Sequence, residues 1–201
     1  MDFSLFFRQL LKKLQILTLP QSEDQADSAA QVTEKAYSMI YASRLTTAEK
    51  DALKQLQNDF SWSDDQLNYL IACMCFESNL NPKAVNRVSG AVGLIQFMPA
   101  ICKAYGTTAD EMLKRSFIGQ LPYVKKHFMP YYKRTKTLSD MYMAILMPKY
   151  IGYAEDYVIF SEGAKYEQNK ALDRNRDHRV TKAEACYYVF KRYDEGLKDV
   201  D

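Results

Sequence analysis

The 201-residue chain sets 27 Lys and Arg against 25 Asp and Glu, a formal net charge of +2. So small a surplus excludes a domain that holds nucleic acid by bulk charge, and the absence of any run of about 18 apolar residues excludes a transmembrane helix. With 47% hydrophobic and 26% charged residues, the length predicts one globular domain with its own core and a short extension.

Four cysteines, Cys73, Cys75, Cys102 and Cys186, and two isolated histidines, His127 and His178, form no CxxC pair or zinc-ligand spacing. Their plain reading is four buried thiols made in a reducing compartment. Near the start, Leu5, Phe6, Leu10, Leu14 and Leu17 recur at helical spacing, so residues 3–18 read as an amphipathic helix ended by Pro20. Asp2 at the front, and Arg8, Lys12 and Lys13 within the apolar run, do not match a cleaved secretory signal. That helix either packs on its own domain or docks to a partner protein. Three basic residues are few for a lipid-facing helix. Residues 20–31 are polar and read as a linker, which divides the chain into 1–31 and 32–201.

Beyond residue 32 the pattern is almost wholly helical. Thr47 opens one helix. Ser63 with Gln66, and Thr108 with Glu111, have the spacing of capping boxes. Pro122, Pro130 and Pro148 are expected to divide the later part into short helices. The fold class is mostly α.

The helix that opens at Ser63 must stop near Asn81-Pro82. Leu67, Leu70, Ile71 and Met74 mark its buried stripe, and Glu77 falls on that stripe as its only acid. A carboxyl on an apolar face resists ionisation, and the negative end of the helix dipole acts in the same direction. Both favour a protonated group suited to general acid catalysis. The competing reading turns Glu77 outward at the helix end. Ser89-Gly90-Ala91-Val92-Gly93 follows, with two glycines that permit positive φ and close backbone approach. Gln96 is a polar residue inside an apolar run, able to bond a sugar or to be satisfied by backbone.

The run Glu77-Ser78-x-x-x-Pro82-x-Ala84-x-Asn86-x-x-Ser89-Gly90-Ala91-x-Gly93-Leu94-Ile95-Gln96-x-Met98-Pro99 resembles the signature of the soluble lytic transglycosylases, a family related to goose-type lysozymes. The resemblance implies a lysozyme-like helical domain that acts on peptidoglycan glycan strands. It also implies that Glu77 is the single catalytic acid/base and that Ser78, Asn86, Gly93, Gln96 and Met98 shape the sugar site. The family's later Ala-Tyr-Asn-Ala-Gly segment is missing. Tyr142, in the helical stretch 138–148, is the residue available to replace its tyrosine, and is otherwise a core aromatic. The family's chemistry needs no metal and no second carboxylate. The basic run from Lys114 to Lys136 is first a solvated helix face, and second a surface drawn to an anionic polymer such as the cell wall.

Near the C-terminus, Asp173, Asn175, Asp177, Thr181 and Glu184, with the Arg179 carbonyl, have the spacing of an EF-hand loop. His178 stands where such loops carry glycine. Arg174, Arg176, Arg179 and Lys182 oppose a dication, so any Ca²⁺ held here is expected to be structural and weakly bound. The alternative is a polar loop that keeps the turn without the ion. This loop and its flanks resemble phage-encoded transglycosylases. The resemblance implies a bacteriophage enzyme, which with no cleaved signal read at the N-terminus would be made in the host cytoplasm. It would act in the periplasm or cell wall, at lysis or as a virion component docked to tail proteins through residues 3–18. The competing functions are a water-using hydrolytic muramidase and a structural tail protein that binds glycan without cutting it.

Overall fold

A computed structural model describes residues 38–200. The amphipathic helix expected at 3–18, its docking role and the linker at 20–31 lie outside the described residues. Among the described residues eight α-helices carry the fold, joined by 3₁₀ turns and one short two-stranded ribbon. The class is mostly α, as the periodicity predicts.

Helix α1 (Thr47–Phe60) is capped by Thr46, whose side chain takes the Glu49 N–H while Glu49 reaches back to the Thr46 backbone. Helix α2 (Asp64–Ser78) opens on the expected Ser63–Gln66 box. It ends at Asn79 and Leu80, both left-handed at φ 56° and 61°. The buried set on α2 is wider than a stripe. Leu67, Leu70, Ile71, Ala72, Cys73, Met74 and Cys75 are each at most 1% exposed. A helix that is apolar all round belongs at the centre of its domain, and α1, α6 and α8 pack around this one.

Next come α3 (Pro99–Ala104), with proline in its first turn, and α4 (Ala109–Lys114), capped by the Thr108–Glu111 box. Helix α5 spans Phe117–Phe128 and contains Pro122. The expectation that Pro122 divides two helices is therefore corrected. A proline in an α-helix forfeits one backbone bond, and here burial of Phe117, Leu121, Val124 and Phe128 along one face holds the helix together. Helix α6 is Leu138–Leu146, capped by Thr137. Pro148 opens a 3₁₀ turn, Pro148–Tyr150.

Strand β1 (Val158–Phe160) pairs antiparallel with β2 (Val180–Thr181). Between them lie α7 (Gly163–Asn169) and the loop from Asp173. Helix α8 (Lys182–Gly196) follows β2 directly and is capped by Thr181 with Glu184. The two ends of the described chain meet, because Ile40 bridges Val200 and the Ala42 N–H bonds the Asp199 carbonyl. Gly196 allows this approach, since a Cβ there would sit 2.7 Å from the Tyr41 ring.

All four cysteines are buried and free. Among the described residues no helix is long and apolar enough to cross a membrane.

Candidate active site

Glu77 stands on the last turn of α2, half-buried. Burial pushes its carboxyl from 4.5 up to about 7. Desolvation is the sole cause, so no neighbouring cation or acid sets the value. Among the described residues no hydrogen bond or ion pair reaches the carboxyl. A carboxyl that is desolvated, unpaired and protonated near neutral pH can hand a proton to a ligand and take one back.

Helix α2 stops just past Glu77 because Asn79 and Leu80 reverse the chain in the left-handed region, and the segment from Ala84 to Phe97 folds back beside it. Val92 bridges both Val85 and Phe97. Gly93 donates its N–H to the Ala84 carbonyl at 2.9 Å, and Gly90 donates to Asn86 at 2.8 Å. Gly90 and Gly93 sit at φ 74° and 75°, as the sequence leads one to expect.

Two residues assigned to the sugar site bond backbone groups. Ser78 is buried, and its hydroxyl lies 2.9 Å from the Met74 carbonyl and 3.0 Å from that of Leu94. It ties the end of α2 to the glycine loop. Asn86 is exposed, but its side-chain oxygen accepts the Val88 and Ser89 N–H groups at 3.0 and 3.1 Å. It closes the loop on itself. Gln96 is half-buried at φ 53°, and its amide donates to the Gly93 carbonyl at 3.2 Å, leaving its oxygen without a bond among the described residues. Met98 is 46% exposed at the start of α3.

Tyr142, on α6, is 3% exposed. Burial raises its phenol well above the usual value, and the charge of Glu77 adds to the effect. The two groups are thus within electrostatic reach. Cys73, one turn before Glu77, is raised by burial and then by the same charge. Among the described residues the Tyr142 hydroxyl has no hydrogen-bond partner, although its ring is packed edge-on against Phe76 at 5.5 Å.

Gln120 was not among the residues expected at the site. It is fully buried on α5, and its carboxamide holds three backbone groups. The oxygen accepts from Leu94 N–H at 2.9 Å. The nitrogen donates to the carbonyls of Pro82 at 2.7 Å and Met112 at 3.0 Å. A polar side chain beside Leu121 on the buried face of α5 was the available signal.

Residues 61–117 match the model of the transglycosylase SLT domain. The SLT segment thus takes in α2, Glu77, the glycine loop, α3 and α4, and stops three residues short of Gln120. It leaves all of α5 beyond Phe117, α6 with Tyr142, and α8 outside. The match supports the lytic transglycosylase and lysozyme-like reading of this segment. No curated protein matches the chain.

The loop 173–184 lies apart from the SLT segment in sequence. Its oxygens are turned onto its own backbone. Asp173 accepts from the N–H groups of Arg176 at 2.7 Å and His178 at 3.0 Å, and from the Tyr166 hydroxyl at 2.8 Å. Asn175 accepts from Asp177 N–H, and Asp177 from Arg179 N–H. Glu184 accepts from the Thr181 backbone and hydroxyl. His178 takes φ 63°, the turn for which glycine is usual. Among the described residues no group of three or more His, Cys, Asp or Glu is gathered to hold a metal ion. Two cations that the sequence sets against calcium point elsewhere. Arg174 lies over the Tyr187 ring at 3.3 Å, and Lys182 is buried against Asp140 at 2.8 Å.

Proposed function

We propose that this chain is a peptidoglycan lytic transglycosylase with Glu77 as its acid and base. The observation that carries the reading is the unpaired carboxyl of Glu77, raised to about 7 by burial at the edge of a glycine loop. The SLT match supports peptidoglycan as the substrate.

Glu77 protonates the glycosidic oxygen between N-acetylmuramic acid and N-acetylglucosamine, and the C1–O bond breaks. The substrate's N-acetyl group stabilises the positive sugar carbon. The Glu77 carboxylate then removes the proton of the muramoyl C6 hydroxyl as its oxygen bonds C1, closing a 1,6-anhydro ring. The proton account balances on one side chain. Most glycosidases place two carboxylates across the bond, whereas this reaction needs only one. Tyr142 lies within electrostatic reach of Glu77, and in this reading Gln96, Met98 and the backbone at Gly93 line the sugar site.

The finer reading is a bacteriophage enzyme that is made in the host cytoplasm and acts in the periplasm or wall, at lysis or as a virion component. In that reading residues 3–18 dock it to tail proteins. Its support is the loop 173–184 and the sequence resemblance. The donor set of that loop, Asp173, Asn175, Asp177, Thr181 and Glu184 with the Arg179 carbonyl, suits a hard oxygen-seeking cation such as Ca²⁺. The role of the ion would be structural, because the chemistry at Glu77 needs no metal.

Digestion of purified sacculi, read by mass spectrometry, tests the activity. Anhydromuramoyl ends support the lytic reaction. Reducing ends identify a hydrolytic muramidase, and intact sacculi identify a glycan-binding structural protein.

A further inference from the structure

Tyr188 lies on α8, well beyond the SLT segment, and is 41% exposed. Its ring is parallel to that of Phe76 within 3°, with centroids 6.4 Å apart. Phe76 immediately precedes Glu77 and meets Tyr142 edge-on at 86°. Three rings therefore run from the buried phenol beside Glu77 out to the surface of α8.

The outermost ring is held in place. Tyr187 meets Tyr188 edge-on at 5.2 Å. Arg174 lies over Tyr187, and its guanidinium is 5.9 Å from the centre of the Tyr188 ring. Burial of Ala185, Cys186 and Val189 fixes the helix beneath. A flat aromatic face that is exposed yet braced loses little freedom when a ligand covers it. The C–H faces of a pyranose ring fit such a surface, and a polymer threaded past Glu77 brings several of them.

We propose that Tyr188 is a glycan-binding residue. With Phe76 beneath it, it forms a platform that takes one N-acetylhexosamine ring next to the bond Glu77 cleaves, and Arg174 is the positioning residue that braces it. This rests on the peptidoglycan reading and extends it to a helix the family match does not cover.

The test is calorimetric binding of a tetrasaccharide of alternating N-acetylglucosamine and N-acetylmuramic acid to the full chain carrying Glu77→Gln, which keeps the ligand intact. Tyr188→Ala in that background is expected to weaken binding about tenfold, and Tyr188→Phe to stay within about twofold. Neither should move the melting temperature by more than a few degrees, since the ring is exposed. Arg174→Ala is expected to fall between them. Equal binding by Tyr188→Ala overturns the platform alone, as does a Tyr188→Phe variant as weak as the alanine. No binding by the Glu77→Gln parent overturns the platform and the peptidoglycan reading together.

Discussion

Gln120 occupies the space that a side chain at position 93 would need. A Cβ built on Gly93 would collide with the Gln120 carboxamide, whose oxygen takes the next N–H, that of Leu94, at 2.9 Å. Glycine is therefore required at 93 twice over, by its φ of 75° and by its neighbour. Gln120→Leu leaves one N–H and two carbonyls without this partner in the interior. Each buried unsatisfied group costs about 1–3 kcal/mol. The expected outcome is a loss of about 3 kcal/mol or more, a fall in melting temperature on the order of 10 °C, and a glycine loop that exchanges its amide hydrogens faster. A variant as stable as the parent would contradict this account of the loop.

Glu77→Gln is expected to abolish muropeptide release, because the amide neither donates nor reclaims the proton. It should also stabilise the protein in a pH-dependent way. The carboxyl is raised from 4.5 to about 7 on folding, so the folded state binds the proton more tightly than the unfolded chain. Wild-type stability falls as pH rises from 4.5 through about 7 and then levels. At pH 8 the glutamine variant should exceed the parent by about 2–3 kcal/mol, and near pH 4 the difference should vanish. Denaturant melts at the two pH values decide it.

The same group governs the rate. General acid catalysis needs Glu77 protonated, so kcat/KM should fall tenfold per pH unit once the pH exceeds about 7. A profile flat to pH 9 would move the acid elsewhere.

Tyr142→Phe keeps the packing against Phe76 and removes only a hydroxyl that has no partner among the described residues. Stability should hardly change. If the hydroxyl helps to orient the substrate beside Glu77, kcat should drop tenfold or more with KM little affected. Unchanged kcat would return Tyr142 to the core.

Calcium should raise the melting temperature only at concentrations on the order of 10⁻⁴ M or above, because His178 replaces the usual glycine and arginines flank the loop. The control combines Asp173→Ala with Glu184→Ala. It loses the α8 capping box as well, at about 1 kcal/mol with or without the ion. The decisive readout is therefore the increment on adding calcium, which should appear in the parent and vanish in the control. No increment in the parent would leave a loop closed by its own hydrogen bonds.

Local chemistry was legible in the sequence, and long-range chemistry was not. The boxes at Ser63–Gln66 and Thr108–Glu111 form as expected, since each involves partners three residues apart. Glu77 and the glycine loop could be placed together because both lie within 23 consecutive residues. Ser78 and Asn86 fit the same motif, yet their bonds go to backbone. A motif records which residue types recur and does not say whether a hydroxyl faces a ligand or a carbonyl. Gln120 bonds Leu94, 26 residues away, Tyr188 stacks on Phe76, and the ribbon pairs residue 158 with 181 and 160 with 180, so no local pattern announces them.

Lys182 has a side chain only 2% exposed, and its ammonium is held by Asp140 at 2.8 Å and the Tyr153 carbonyl at 2.8 Å. Asp140 belongs to the helix that carries Tyr142, and Lys182 opens the helix that carries Tyr188. Removing one member of a buried pair costs far more than removing both, because the survivor keeps its charge in the interior. The C-terminal region is consequently not a cassette that can be traded between proteins. A chimera that joins foreign sequence after residue 170 inherits position 140 from one parent and position 182 from the other. Where those two parents disagree on the pair, the chimera should lose about 3–5 kcal/mol of stability.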